Sequence, residues 1–297
     1  MLVGSGKLTY EVAEGWGRLP PGWVWDQVPA VAVDSRDRVH VFSRGLHPVM
    51  VFDRDGNLLT SWGEGLFDDP HGICIGPDDH IYLVDRGAHV VMKFTPEGQL
   101  LMTLGKRGQP SEGGEPFVRL GRTISPGGEP FNLPTDVALS PAGEIYVSDG
   151  YGNSRVHRFS PDGRLLLSWG TAGDGPRQFN LPHSVWIDQY GRVYVADREN
   201  HRIQLFTPEG EYLTQWTGFR QPCKIFMDAE EYIYVAELGH RVSILDRDGQ
   251  LQARWGGEGK APGQFIGSHG IWADSRGDIY VGEALQGQRV QKFVRQA

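Results

Sequence analysis

The chain is short of cysteine, of long apolar runs and of positive charge, and each shortage excludes a class of protein. Its 297 residues hold two cysteines, Cys74 and Cys223. Two are too few to frame a disulfide-held scaffold, and the repeats described below put them in different units, so a reduced, cytoplasmic setting is expected. No stretch is apolar over the length needed for a membrane-crossing helix, so no membrane partner is expected. Residues 1–20 show neither the basic start nor the apolar core of a secretory signal. The net charge of −8 lacks the basic surface that a general nucleic-acid grip requires. A local basic pocket for a small anion is still compatible with that balance.

Turn formers and aromatics, by contrast, are plentiful. With 41 glycines, 19 prolines, nine tryptophans and ten tyrosines, the composition suits many short strands joined by tight turns. Internal repetition carries the main signal. A short apolar strand recurs six times, as in Val31-Ala-Val-Asp34, Ser184-Val-Trp-Ile-Asp188 and Gly270-Ile-Trp-Ala-Asp274. A polar turn follows each, then a second strand with an Ile/Val-Tyr-Val core in four of the six, such as Val193-Tyr-Val-Ala196. After a third strand comes a recurring turn, Ser160-Pro-Asp-Gly163 or Asp246-Arg-Asp-Gly249, with glycine fourth as a tight hairpin requires. A fourth strand ends at a tryptophan-glycine pair such as Trp169-Gly170.

Four-stranded units of roughly 40–50 residues match the blade of a propeller. They resemble NHL repeats along nearly the whole chain. The resemblance implies an all-β fold, a six-bladed β-propeller of NHL-type repeats forming a single domain over residues 1–297. The sixth unit stops at Phe293-Val294 without a fourth strand, and Leu8-Thr-Tyr-Glu-Val12 with Gly15-Trp16-Gly17 offers the missing one. The N-terminal strand is therefore expected to complete the last blade and close the ring. Residues 105–131, rich in glycine and proline, read as an excursion between blades two and three and a candidate lid.

In a propeller the start of the first strand and the end of the second share one mouth of the channel. The first-strand heads, in order, are Ala30, His71, Thr135, His183, Cys223 and His269. Three histidines thus head alternate blades, about 120° apart in a six-fold ring. Three neutral imidazoles with an open fourth position form a catalytic zinc site, and iron or another divalent metal suits the same donors. The competing reading is three histidines that line a wet channel. Cys223 at a head position lines the pocket, touches the metal or packs as an inert thiol. The ends of the second strands add Arg44, Arg86, Tyr151 and Arg198 to the mouth. Three arginines suggest a small anionic substrate such as a carboxylate, and Tyr151 among them is a candidate general base. The alternative for each arginine is an ion pair with a loop acid, Glu199 and Asp85 being at hand.

Dispersed stretches make the resemblance more specific: Pro70-His71-Gly72, Pro134-Thr-Asp-Val-Ala138, Ser148-Asp-Gly-Tyr-Gly-Asn-Ser-Arg155, Pro182-His183-Ser184 and Val195-Ala-Asp-Arg-Glu-Asn200. With His269 they are similar to the peptidyl-α-hydroxyglycine α-amidating lyases, a family of NHL-repeat propellers. That resemblance implies metal binding by His71, His183 and His269, Tyr151 as base, and Arg44 and Arg198 in the active site. It also implies cleavage of a carbinolamide, N–CH(OH)–COO⁻, to an amide and glyoxylate, with Arg44 beside the tyrosine oxygen and Arg198 on the carboxylate. Departures bear on the substrate. Gly270 replaces an aspartate expected to bind calcium, so calcium is not expected. Gly152 replaces a cysteine, Arg86 replaces an apolar residue, and no monooxygenase domain is expected ahead of the propeller. These changes point to a small carbinolamide, of ureidoglycolate type, rather than a peptide. Two other classes fit the fold: a non-catalytic propeller that binds a protein partner, and a propeller metallohydrolase on the same three histidines.

Overall fold

The computed structural model describes residues 1–111, 117–119, 122–124 and 130–296, with the backbone alone for 117–119 and 122–124. Among these residues the structure is all β apart from one short 3-10 turn, Arg198–Asn200. Six antiparallel blades succeed one another, and in blades one to five the strands lie in sequence order. Blade one spans residues 30–62, blade two 70–105, blade three 134–169, blade four 182–216 and blade five 222–256. Blade six takes Ser268–Ala273, Ile279–Glu283 and Arg289–Arg295, then Leu8–Ala13 from the other end of the chain. This is the six-bladed propeller class expected from the repeats.

The blades group into two compact units. One is Phe67–Pro222, with blades two to four; the other is Met1–Leu66 with Cys223–Ala297, holding blades one, five and six. In the second unit the N-terminal strand completes blade six as expected, with Tyr10 opposite Arg295 and Ala13 opposite Lys292. A further strand, Leu2–Ser5, folds back on it in a hairpin, so this blade has five strands rather than four. The sequence reading missed that strand because Leu2-Val-Gly-Ser5 is short and mostly exposed.

The Ile/Val-Tyr-Val core has a physical reason. Valine and isoleucine fill the space between blades, whereas the tyrosine reaches back to the turn that ends the first strand. Tyr194, Tyr234 and Tyr280 donate their hydroxyls to Asp188, Asp228 and Asp274 at 3.1, 2.7 and 3.0 Å. The same carboxylates accept turn amides, for example those of Tyr190 and Arg192 on Asp188. The repeated glycines after the third strand sit in the left-handed region, as at Gly163 with φ 88°. The tryptophan ending the fourth strand wedges between neighbouring blades: Trp169 of blade three packs 6.0 Å from Phe206 of blade four. Both belong to a buried cluster with Val156, Phe179, Val185 and Val195.

Histidines outside the candidate site staple blade to blade. His89, His201 and His240 each present Nδ1 to a backbone N–H at the entrance of the next blade, on Leu133 (3.0 Å), Gln221 (3.1 Å) and Gly267 (3.2 Å). Each acceptor must be neutral at Nδ1. Leu133 has φ 59°, an uncommon conformation for a bulky residue, so its amide is held where strain is stored.

Of the 105–131 excursion, Gly105 ends blade two, residues 117–119 pair with 122–124, and Ser111 N–H donates to Phe131 O at 2.8 Å. The lid reading falls mainly on residues outside those described. No helix among the described residues is long and apolar enough to cross a membrane.

Burial lowers the His89 pKa, opposed by the charges of Asp149 and Asp85. A lowered folded-state pKa means this residue's stabilising effect is intact above about pH 6.5 and is lost as pH falls through the folded value. His89→Ala should cost roughly 1 kcal/mol above neutrality. Urea midpoints of the two proteins should converge as the pH is lowered; a constant difference from about pH 7.5 to 5 would contradict the staple.

Candidate functional site

Each candidate ligand sits at a defect in its strand. The first strands begin two residues earlier than the sequence pattern suggests, at Pro70, Pro134, Pro182 and Ser268. Their pairing with the second strand slips between Pro70 and Gly72, Pro134 and Asp136, Pro182 and Ser184, and Ser268 and Gly270. The residue left over at each slip is His71, Thr135, His183 or His269. A bulge of this kind re-aims one side chain without disturbing the rest of the strand. The heads are thus bulged residues inside the strand, not residues ahead of it.

Burial and backbone contacts then orient the rings. His71 and His183 are 2% exposed and His269 5%. His71 Nδ1 lies 2.6 Å from Thr135 O, and His269 Nδ1 lies 2.7 Å from Pro29 O. A carbonyl only accepts, so in both residues Nδ1 carries the proton and Nε2 keeps its lone pair. An imidazole whose second nitrogen donates to a carbonyl is the usual arrangement of a metal-bound histidine. His71 and His183 in the unit of blades two to four, and His269 in the other unit, are each buried imidazoles of the kind that can ligate a metal ion.

Within the unit of blades two to four, the second-strand ends converge on Tyr151. Its oxygen is 3.4 Å from His71 Nε2 and 3.3 Å from His183 Nε2, and the two rings are 4.8 Å apart. Arg198 Nη1 donates to the same oxygen at 3.1 Å. Arg86 covers the ring face, its Cζ 4.4 Å from the centroid, a cation–π distance. Flanking glycines make the placement possible. A Cβ at Gly150 would lie 2.1 Å from Pro182 O, and one at Gly152 would lie 2.2 Å from Asn132 Oδ1. The loop carrying Tyr151 therefore lies directly on the entrance to blade four.

Both expected arginine ion pairs exist in some form. Arg198 binds Glu199 through Nε and Nη2, each at 2.9 Å, as expected. Arg86 binds Asp69, through Nε at 2.7 Å and through Nη2, rather than Asp85. Within this unit it is Arg198 that reaches the Tyr151 oxygen. Arg44 belongs to the other unit, where its backbone N–H and Nη1 bind Gln27 at 3.0 and 2.8 Å. In that unit a Cβ on Gly270 would meet Ala30 Cα at 2.8 Å and Pro29 O at 2.9 Å. The expected aspartate would thus need the blade-one backbone to move. Cys74 and Cys223 are both buried thiols.

The sequence reading missed the residues that hold the loops. Asp85, Asp149, Asp197, Glu237 and Glu283 end their second strands and are fully buried. In four blades the carboxylate accepts a backbone N–H from the residue 17 positions earlier, in the loop leading to the head: Asp68, Asn132, Asn180 and Ile266. It also ties down the outgoing loop, through Ala88 N–H on Asp85, Asn153 Nδ2 on Asp149 and Asn200 Nδ2 on Asp197. In blades two, three and four one acid therefore fixes both the residue three positions before the head and the loop bearing Arg86, Tyr151 or Arg198. The available signal was the acid that recurs directly after the second-strand core.

The NHL repeat model matches residues 67–94, 131–159 and 179–206, in blades two, three and four. The chain is 35% identical over 213 residues to peptidylglycine alpha-amidating monooxygenase of Rattus norvegicus, covering 61% of this chain and 20% of that protein. It is 30% identical over 275 residues to peptidyl-alpha-hydroxyglycine alpha-amidating lyase 1 of Drosophila melanogaster, covering 82% and 47%. It is 33% identical over 250 residues to NHL repeat-containing protein 3 of Homo sapiens, covering 80% and 70%. Among solved structures, a streptogramin B lyase matches with TM-score 0.66 at 14% identity over 97% of this chain and 98% of the other, a likeness of fold. These matches define an NHL-repeat propeller. The chain belongs to the family of such propellers that contains the peptidyl-α-hydroxyglycine α-amidating lyases, and it spans a fifth of the rat relative and under half of the fly one.

Burial pushes the Asp197 carboxyl above its ordinary range, against the Asn180 amide, Asn200 and Arg202. Asp197→Ala strands the buried Arg202, whose Nε lies 2.7 Å from that carboxylate. Loss of one partner of such a pair should cost roughly 3–5 kcal/mol. Chemical denaturation gives the number, and a loss below about 1 kcal/mol would mean the acid is not the clamp described.

Proposed function

We propose that the chain is a carbon–nitrogen lyase that splits a carbinolamide, N–CH(OH)–COO⁻, into an amide and glyoxylate. The observation that carries this reading is the Tyr151 oxygen. It receives an Arg198 N–H and lies within 3.4 Å of Nε2 on two buried histidines. Relatives named as amidating lyases supply independent support.

The reaction needs a proton removed from the substrate hydroxyl and a proton delivered to the departing nitrogen. Tyr151 is placed to take the first, since its oxygen already accepts the Arg198 hydrogen bond and faces the imidazoles. As the hydroxyl O–H bond breaks, the carbon–oxygen double bond of glyoxylate forms, the C–N bond breaks, and the nitrogen leaves with a proton as a neutral amide. His71, His183 and His269 fit a divalent metal, zinc or iron, because each is buried and two have Nδ1 committed to a carbonyl. Such a metal would supply Lewis acidity toward the substrate hydroxyl. Arg44, Arg86 and Arg198 give the mouth a cationic character suited to the carboxylate. Gly152 and Arg86 favour a small substrate of ureidoglycolate type over a peptide.

A second reading has an observation of its own. NHL repeat-containing protein 3, at 33% identity, carries no activity in its name. A propeller that binds a protein partner without catalysis would share this fold.

Incubation with an N-acyl-α-hydroxyglycine and with ureidoglycolate, followed by glyoxylate detection, separates the two. Turnover of either is expected, with Tyr151→Phe slower by about 10²–10⁴-fold. No glyoxylate from metal-loaded protein would favour the binding module, and a fully active Tyr151→Phe would remove the assigned base.

A further inference from the structure

Tyr151 is flanked by two arginines, and a carboxylate holds each arginine in the same way. Arg198 gives Nε–H and Nη2–H to one oxygen of Glu199, which leaves Nη1 for the tyrosine oxygen at 3.1 Å. Arg86 gives Nε–H and Nη2–H to one oxygen of Asp69, and its plane then lies over the tyrosine ring. A guanidinium is a rigid planar fork, so fixing the Nε–Nη2 edge fixes where the remaining nitrogen points.

Glu199 is itself held from three sides. Its second oxygen accepts Gln221 Nε2 at 2.9 Å, its backbone N–H donates to Asn180 O at 3.1 Å, and it sits in the 3-10 turn that starts at Arg198. The Arg198 and Glu199 side chains are 9% and 12% exposed, so the pair is little screened by solvent. On the other flank, Gly87 lets the Arg86 loop close on Asp69: a Cβ there would lie 3.0 Å from the Asp69 Cβ.

We propose that Glu199 and Asp69 are positioning residues for the lyase reaction, a role that rests on the function proposed above. They aim Arg198 and Arg86 at Tyr151, and by occupying the fork edges they keep those edges from gripping the substrate carboxylate. The two arginines thereby serve the proton-accepting tyrosine and lend the substrate carboxylate only their charge. Loss of Glu199 therefore acts on turnover and not on binding.

The test compares wild type with Glu199→Gln and Glu199→Asp, using glyoxylate release from an N-acyl-α-hydroxyglycine and a crystal structure of each variant. Glu199→Gln keeps the shape and loses the charge; kcat should fall about 10²-fold with KM unchanged or lowered. Glu199→Asp, which keeps the charge, should recover part of that loss. A raised KM with unchanged kcat would overturn the proposal, as would two variants indistinguishable from wild type. The crystal structures decide independently of activity. In Glu199→Gln, Arg198 Nη1 should leave hydrogen-bond range of the Tyr151 oxygen, and an unmoved Arg198 would overturn the positioning role. Absence of turnover in wild type would count against the lyase reading alone, with the arginine position still testing Glu199.

Discussion

A carboxylate with no exposed surface closes the second strand of five blades, and the geometry of the candidate site follows from where it finds its hydrogen bonds. Burying an ionised carboxylate is costly unless donors surround it. In blades two to four the donors come from both loops at the same end of the blade, the one entering the first strand and the one leaving the second. Asp149 binds Asn132 N–H on one side and Asn153 Nδ2 on the other. Asp197 does the same with Asn180 N–H and Asn200 Nδ2. Charge compensation comes from the strand alongside, as with Arg202 on Asp197 and Arg289 on Glu283. The requirement to satisfy one buried acid thus holds two otherwise independent loops in register.

On that fixed pair of loops the chemistry is arranged by small departures from regular structure. The bulge at each head turns His71, His183 or His269 out of the alternating pattern. Gly150 lets the tyrosine loop lie against Pro182 at the entrance to blade four, and Gly152 lets it close on Asn132. The carbonyl contacts of His71 and His269 settle which ring nitrogen keeps its lone pair. At His71 and His269 the lost regularity is offset by a ring-to-carbonyl hydrogen bond to the neighbouring blade within the unit.

Much of this was legible in the sequence because repetition multiplies weak signals. One Ile-Tyr-Val means little, but four at similar spacing, three of them followed by a Gly-ended turn, specify a blade. The heads were legible for the same reason, since Pro70, Pro134 and Pro182 precede them in matching positions. The bulges were not, because a one-residue slip of register depends on the partner strand and leaves no mark on either strand alone. The buried acids were misread because an aspartate after an apolar run looks like a surface turn residue. Its burial depends on amides 17 positions upstream. The pairing of Arg86 with Asp69 instead of Asp85 has the same origin: Asp85 is already occupied by loop amides.

The proposed reaction rests on a divalent metal held by the imidazoles that these bulges present. Metal content by mass spectrometry, on wild type and on a variant with His71, His183 and His269 all changed to alanine, tests it most directly. The account predicts about one zinc or iron per chain in wild type and none in the variant. Wild type that holds no divalent metal after reconstitution with either ion would contradict it.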